Sequence, residues 1–161
     1  LHAELRRGGT LIRRETFSYA PCSRSQRSRL VEELETRERV ETSYGARGEI
    51  LATRRLKEGT EVFRTEYGYD PKGRLLFEQT WRGASLARRS LEYDEAGEPR
   101  REERWKDGAL VAVALLEASG LRVEELYDGG QLVLRVYYEG GRKVKEEFIE
   151  GGVVRRTREY R

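Results

Sequence analysis

The sequence contains one cysteine, one histidine and three prolines in 161 residues, and neither methionine nor asparagine. A lone cysteine excludes an internal disulfide framework, and with His2 as the only imidazole most catalytic triads and most metal sites are excluded too. No apolar run approaches the ~20 residues of a membrane-spanning helix, so no transmembrane segment is expected. Neither sign of charge dominates: 32 Lys+Arg stand against 29 Asp+Glu, for a net charge of +3. The signs are interspersed, which makes the field short-ranged and patchy, and nucleic acid an unlikely partner. Apolar residues are also scarce, 37% against 38% charged, which is thin for a two-sided core in a chain of one-domain length. Disorder is nevertheless not expected, because nine Tyr, two Trp and four Phe are spread along the chain. Arginine outnumbers lysine 27 to five, a bias that fits a GC-rich or heat-adapted source. The chain opens without Met on Leu1-His2-Ala3 and therefore reads as processed or excised, with its compartment hidden.

What is present is glycine at turn spacing. Sixteen of the seventeen glycines punctuate short alternating stretches, and only Gly68 stands inside one. From Gly48 onward the last glycine of successive turns falls 11, 14, 10, 14, 11, 12, 10, 11 and 11 residues after the one before, which is strand-turn-strand spacing. All four aspartates, Asp70, Asp94, Asp107 and Asp128, sit at these turns, where a short carboxylate can bond nearby backbone. Between the turns the period is two. Phe63, Thr65, Tyr67 and Tyr69 are expected on one face with Arg64, Glu66 and Gly68 on the other. Leu75, Phe77 and Trp81 are expected together, as are Leu132, Leu134, Val136 and Tyr138.

The spacing predicts about thirteen strands in an all-β antiparallel meander of repeated hairpins, an extended sheet that twists or curls, in one domain over residues 1–161. Each strand is expected to carry one mostly apolar face and one face of interspersed Arg and Glu. Residues 30–44 are read as one strand in preference to a helix, because a strand keeps the meander in phase. Residues 20–29 are read as an irregular loop, and Ala109 to Leu116, apolar on both sides, as the strand covered on both faces.

Stretches of this sequence resemble known repeats. Tyr69-Asp70-Pro71-Lys72-Gly73-Arg74-Leu75 resembles the signature of YD repeats of the RHS type, with Tyr93 to Gly97 a decayed copy and Tyr44 to Ile50 a third lacking the Asp. Tyr127 to Gly130, Tyr138 to Gly141 and Ile149 to Gly152 look more like variant MORN repeats. The resemblance spans residues 44–160. It implies a β-sheet that binds, scaffolds or encloses a partner, with chemistry located in other domains.

No catalytic, metal-ligating or cofactor-holding constellation emerges, and the expectation is a protein that is not an enzyme. Glu32-Glu33, Glu102-Glu103, Glu124-Glu125 and Glu146-Glu147 are adjacent, so in a strand each pair points to opposite faces and forms no acid/base dyad. The glycine pairs lack the Lys-Ser/Thr step of a phosphate loop. Cys22 is read as a passive loop thiol. Arg24, Arg27 and Arg29 make the one locally basic run, a weak candidate for an anionic surface. Tyr67, Tyr69, Phe77, Trp81, Tyr93 and Trp105 are the candidate partner-binding residues, through an aromatic face around Tyr67, Phe77 and Trp81. The function expected is a structural or protein-binding module, or alternatively an antitoxin-like or immunity binding protein. Its setting would be the bacterial periplasm, cell surface or secretions, with a protein partner or a second copy held at a sheet edge or the aromatic face.

Overall fold

The computed structural model describes residues 1–21, 25–117 and 119–161. All regular structure in them is antiparallel strand: β1 (His2–Arg7), β2 (Thr10–Tyr19), β3 (Gln26–Glu33), β4 (Glu38–Tyr44), β5 (Ile50–Lys57), β6 (Thr60–Tyr69), β7 (Leu75–Arg82), β8 (Ser85–Tyr93), β9 (Pro99–Lys106), β10 (Ala109–Leu116), β11 (Leu121–Asp128), β12 (Gln131–Glu139), β13 (Arg142–Glu150) and β14 (Val153–Glu159). The all-β meander expected from the glycine spacing is therefore present. It divides into two compact units, Leu1–Ser85 and Leu86–Arg161. Within each unit the strands described pair with their neighbours in sequence.

The turns explain why these residues make hairpins. Gly8-Gly9, Glu58-Gly59, Asp107-Gly108, Gly129-Gly130, Gly140-Gly141 and Gly151-Gly152 all have φ of 50° to 59° followed by 78° to 84°. Two successive positive φ values are those of a type I′ turn, whose twist matches the flanking strands. A second kind of turn closes on carboxylate. Asp94 Oδ1 accepts from the Gly97 and Glu98 amides at 2.8 and 2.9 Å. Asp70 Oδ1 accepts from the Arg74 amide at 2.9 Å, and its Oδ2 accepts from Arg74 Nε at 2.7 Å. Arg47 spans from the preceding turn to donate to the Pro71 and Asp70 carbonyls at 2.7 and 3.3 Å, and Tyr69 Oη donates to the Ile50 carbonyl at 2.9 Å. The Tyr-Asp step thus anchors one hairpin against the next.

Two expectations near the N-terminus need correction. The single strand over 30–44 is two strands, because Leu34 to Arg37 turns without glycine or proline, Arg37 itself adopting φ 53°. This raises the strand number to fourteen. The loop over 20–29 is shorter, since β3 begins at Gln26. Cys22 and Arg24 lie outside the described residues.

A larger correction concerns the faces. Among the strand pairs whose register is described, ten carry a one-residue bulge. In the bulged hairpins that a glycine closes, the unpaired residue is the third after it: Val62 after Gly59, Leu76 after Gly73, Val133 after Gly130, Arg155 after Gly152; the turn at Gly120 leads into a ladder with no bulge. An extra residue reverses the inward-outward sense of the strand beyond it. Leu75 accordingly pairs with Tyr69, on the face of Thr65, while Phe77 pairs with Gly68 and Trp81 with Arg64 on the opposite face. Leu132 is likewise separated from Leu134, Val136 and Tyr138.

With the bulges in place, both faces mix charge with apolar residues. One face of the second unit reads Ser90, Glu103, Val113, Glu125, Arg135, Glu147, Thr157 across β8 to β14. Small residues are buried beneath long neighbours, whose aliphatic stems supply the cover. Ala112, Val113 and Ala114 of β10 are 4%, 2% and 2% exposed, and Val123, Val136, Leu91 and Ile149 complete the buried apolar set described. In the first unit the buried residues described are polar, Thr65 and Asp70. Thr65 lies in a row of directly paired threonines, Thr42, Thr53, Thr65 and Thr80, and its hydroxyl is 3.0 Å from that of Thr80.

Candidate functional site

The second unit repeats itself every 22 residues, and this places its carboxylates. Glu102-Glu103, Glu124-Glu125 and Glu146-Glu147 recur at that interval on β9, β11 and β13. Each pair sends one side chain to each face, as adjacency in a strand requires. On one face Arg135 bridges two of them, donating to Glu125 at 2.9 and 3.0 Å and to Glu147 at 3.3 Å. Tyr127 Oη donates to Glu125 at 2.8 Å and Tyr137 Oη to Glu147 at 2.9 Å, with Lys145 Nζ 2.6 Å from Glu147. The hydrogen bond from Lys145 foremost, then those from Tyr137 and Arg135, hold the Glu147 carboxyl below the usual carboxylate range against the opposing effect of burial. The hydrogen bonds to Glu125 foremost raise the Arg135 pKa above its ordinary value.

On the other face Glu146 accepts from Lys143 Nζ at 2.7 Å and Tyr160 Oη at 2.5 Å, and faces Arg158 at 3.8 Å. Those hydrogen bonds, Lys143 first, lower its pKa. β14, paired on one side with β13, has all seven of its residues exposed. It carries Arg155, Arg156 and Arg158; the Arg156 and Arg158 guanidinium carbons lie 5.2 and 6.0 Å from the Phe148 ring centre. Among the described residues Arg156 has no carboxylate partner, while Arg155 lies 3.6 Å from Glu150.

Replacing Arg135 by Met is expected to destabilise the second unit by about 1 to 2 kcal/mol, because two partly buried carboxylates lose their shared cation. Arg135→Lys should recover part of that loss, since an ammonium cannot serve both acids with a planar fork. Urea midpoints of the three proteins check the order.

Acid should act through the same groups. Glu15, Asp70, Glu146 and Glu147 all have lowered pKa values, Glu15 chiefly through the Arg29 hydrogen bond and Asp70 chiefly through the Arg74 amide. A folded-state pKa below the unfolded value gives stability that is fully present above the unfolded value, about 4, and lost as pH falls through the folded one. The urea midpoint should therefore stay level from pH 7 to about 5 and drop below about 4. The slope should be smaller in Glu147→Gln.

The sequence-derived candidates are not gathered into one site. Tyr67 and Tyr69 lie on one face of the first unit, Phe77 and Trp81 on the other. In the second unit Tyr93 and Trp105 fall on opposite faces. An aromatic face around Tyr67, Phe77 and Trp81 is therefore not present, and the bulge at Leu76 does not reunite them. Several rings are also covered by cations: Arg64 lies 4.3 Å over Trp81 and Arg82 5.4 Å from Phe63. Arg27 is the bulged residue of β3, and Arg29, also in β3, bonds Glu15 at 3.0 Å, so neither belongs to a loop. His2 lies in the exposed strand β1.

A depression of about 460 Å³ in the first unit is floored by Ser28, Ser43 and Ala52 and walled by Arg39, Arg54 and Arg64. Glu41 offsets Arg39 at 3.1 Å and Arg54 at 2.5 Å, and Glu66 lies 3.7 Å from Arg64, which leaves no concentrated positive charge. Among the described residues no three His, Cys, Asp or Glu side chains converge to hold a metal ion. No helix of the described residues is long and apolar enough to cross a membrane. Sequence reasoning missed Arg135, Lys143 and Tyr160, although the 22-residue recurrence of Glu-Glu marked the strands they serve. Compared with known proteins, the chain matches no family model and no curated protein sequence.

Proposed function

We propose that this chain is a non-catalytic protein-binding module of β-hairpin repeats, related in kind to YD and variant MORN repeats and working in a cell-envelope or secreted system. The observation that carries this reading is a run of antiparallel hairpins whose acids are already committed to cations along the strands. Glu102 is 2.8 Å from Arg89, Glu103 2.7 Å from Arg101, and Glu124 is bonded to Arg122. A carboxylate engaged in this way by its own chain is not presented to a substrate.

The test is affinity capture from the native host on the immobilised chain, followed by direct binding to each captured protein after purification. The expected result is a protein partner that binds the purified chain at physiological ionic strength. Turnover of a small-molecule substrate would overturn the reading. So would the lack of any reconstituted protein complex together with heparin retention that collapses between low and physiological salt, the mark of phosphate binding.

A further inference from the structure

We propose that the depression across β3 to β6 of the first unit is a docking site for an extended segment of a partner protein that carries a carboxylate and an apolar side chain four residues apart. This deepens the protein-binding reading and rests on it. Register builds the depression. Ser28, Ser43 and Ala52 are directly paired on β3, β4 and β5, and two residues along the same strands lies a second paired row, Leu30, Glu41, Arg54 and, on β6, Arg64. Residues two apart in a strand share a face, so three short side chains lie beside four long ones. The difference in length leaves the depression of about 460 Å³, within the ~300–1,000 Å³ of ligand pockets.

Charge along the wall is unevenly met. Glu41 gives one oxygen to each of two cations, Oε1 lying 3.1 Å from Arg39 Nε and Oε2 2.5 Å from Arg54 Nη2. Arg64 has no such bond among the described residues: Glu61 and Glu66 lie 3.8 and 3.7 Å from its Nε, and that nitrogen is buried without an acceptor. Its guanidinium carbon stands 4.3 Å from the Trp81 ring centre. A guanidinium over an aromatic ring is held through its charge and keeps its N–H donors, and two of them in one plane fit a carboxylate. With the neighbouring ion pairs leaving no concentrated positive charge for a phosphate, the wall offers one fork for one carboxylate.

The length of the wall sets the spacing of the ligand. Arg64 and Leu30 stand at its two ends, three strand spacings apart, or about 14 Å. An extended chain advances ~3.3 Å per residue and returns its side chains to one face at every second residue, so side chains four apart meet both ends. The one at Arg64 is a carboxylate and the one at Leu30 apolar. Between them the chain crosses Ser43 and Ala52, whose small side chains leave room for it, and the Ser43 hydroxyl has no partner among the described residues. A small acid would use the Arg64 end alone.

The probe is an array of terminally blocked peptides, Gly-Glu-Xaa-Xaa-Xaa-Leu-Gly and the reverse, Gly-Leu-Xaa-Xaa-Xaa-Glu-Gly, with Xaa drawn from Gly, Ser and Thr, exposed to the labelled 161-residue chain at physiological salt. The expected result is saturable binding by members of one set, with amide shifts in NMR spectra confined to β3 through β6 for the tightest of them. Arg64→Gln should weaken binding about tenfold, and Ser43→Leu, which fills the floor and keeps every charge, by as much. Arg64→Lys keeps the charge and the stem beside Trp81 and should cost about fivefold through loss of the fork. Peptides with leucine one residue closer to glutamate should bind no better than peptides without leucine. Urea midpoints confirm that each variant is folded under the conditions of the assay. Equal binding by Arg64→Lys and Ser43→Leu, or by the peptides with altered spacing, would reduce the effect to ionic attraction and overturn the proposal. Complete displacement by acetate at the concentration of the peptide would mark a site for small acids, and chain self-association that Arg64→Gln relieves would mark a second copy as the occupant; either overturns it, as does absence of binding. If a captured protein partner binds the natural chain and Arg64→Gln alike, the module reading stands and the docking site falls. If neither peptide nor partner is retained, both fall.

Discussion

Val113→Asp should destabilise the second unit by about 3 to 5 kcal/mol, enough to unfold a small sheet at room temperature. Val113 is 2% exposed in the middle of β10, and its directly paired neighbours are Glu103 and Glu125. A carboxylate there would be desolvated between two others, while the nearby cations are already engaged: Arg101 with Glu103 and Arg135 with Glu125. Repulsion and burial act in the same direction, and no rearrangement within the row supplies a free cation. Val113→Thr keeps the shape and adds only a hydroxyl, so about 1 to 2 kcal/mol is expected. Val153→Asp, at a residue 54% exposed on β14, should change stability by less than about 0.5 kcal/mol. Urea unfolding followed by Trp105 fluorescence in a Trp81→Phe background reads the second unit. A loss for Val113→Asp no greater than that for Val153→Asp would mean that β10 does not hold the buried centre.

The contrast between Val113 and Val153 also marks what a sequence of this kind discloses. Turns were legible because glycine and aspartate are nearly obligatory where φ is positive or a carboxylate closes a loop, and Gly48 to Gly152 count out the hairpins. The turn at Leu34 to Arg37 was not legible, because Arg37 takes a left-handed conformation that its side chain does nothing to announce. Bulges were invisible for a related reason. Val62, Leu76 and Val133 are β-favouring residues in β-favouring surroundings, and only their constant distance from the turn glycine betrays them. Missing them reverses the faces, which is why Leu75 and Trp81 seemed to share a side.

The cationic edge was half legible. Arg155, Arg156 and Arg158 read directly as an edge-strand composition, and the Glu-Glu pairs read directly as two-faced. What ties them together is register. Only pairing across β10 and β12 shows that Glu-Glu lies opposite the same positions on both sides. The aromatic residues misled because nine tyrosines and two tryptophans in a polar chain suggest a recognition face, whereas Trp81 and Tyr137 lie under Arg64 and Lys145. In sheets with charge on both faces, long cations take over much of the covering that a second layer would otherwise provide.

Gly68 supplies the other large effect, and there intrinsic propensity and packing predict opposite signs. Gly68 is the one glycine inside a strand, β6, and its backbone is not in the left-handed region, so Gly68→Ala judged on conformational entropy should stabilise by about 0.5 to 1 kcal/mol. Its directly paired residue on β7 is Phe77, and a Cβ added to Gly68 would stand 2.1 Å from Phe77 Cε1 and 2.5 Å from Cζ. The ring fills the place of the missing side chain, the aromatic cover over a strand glycine that sheets use to restore lost packing. Gly68→Ala must therefore expel the ring, and a net loss of about 1 to 3 kcal/mol is expected. Gly45 provides the comparison: the atoms nearest a Cβ there are those of the Glu49 carboxylate, the first at 2.4 Å, and that flexible end can swing away, so Gly45→Ala should cost much less. In a double-mutant cycle, Phe77→Ala should be less damaging in the Gly68→Ala background than in the natural chain, by at least about 0.5 kcal/mol. Additive losses, or a gain in stability from Gly68→Ala alone, would show that the ring leaves Gly68 without penalty and that the glycine is not there to seat it.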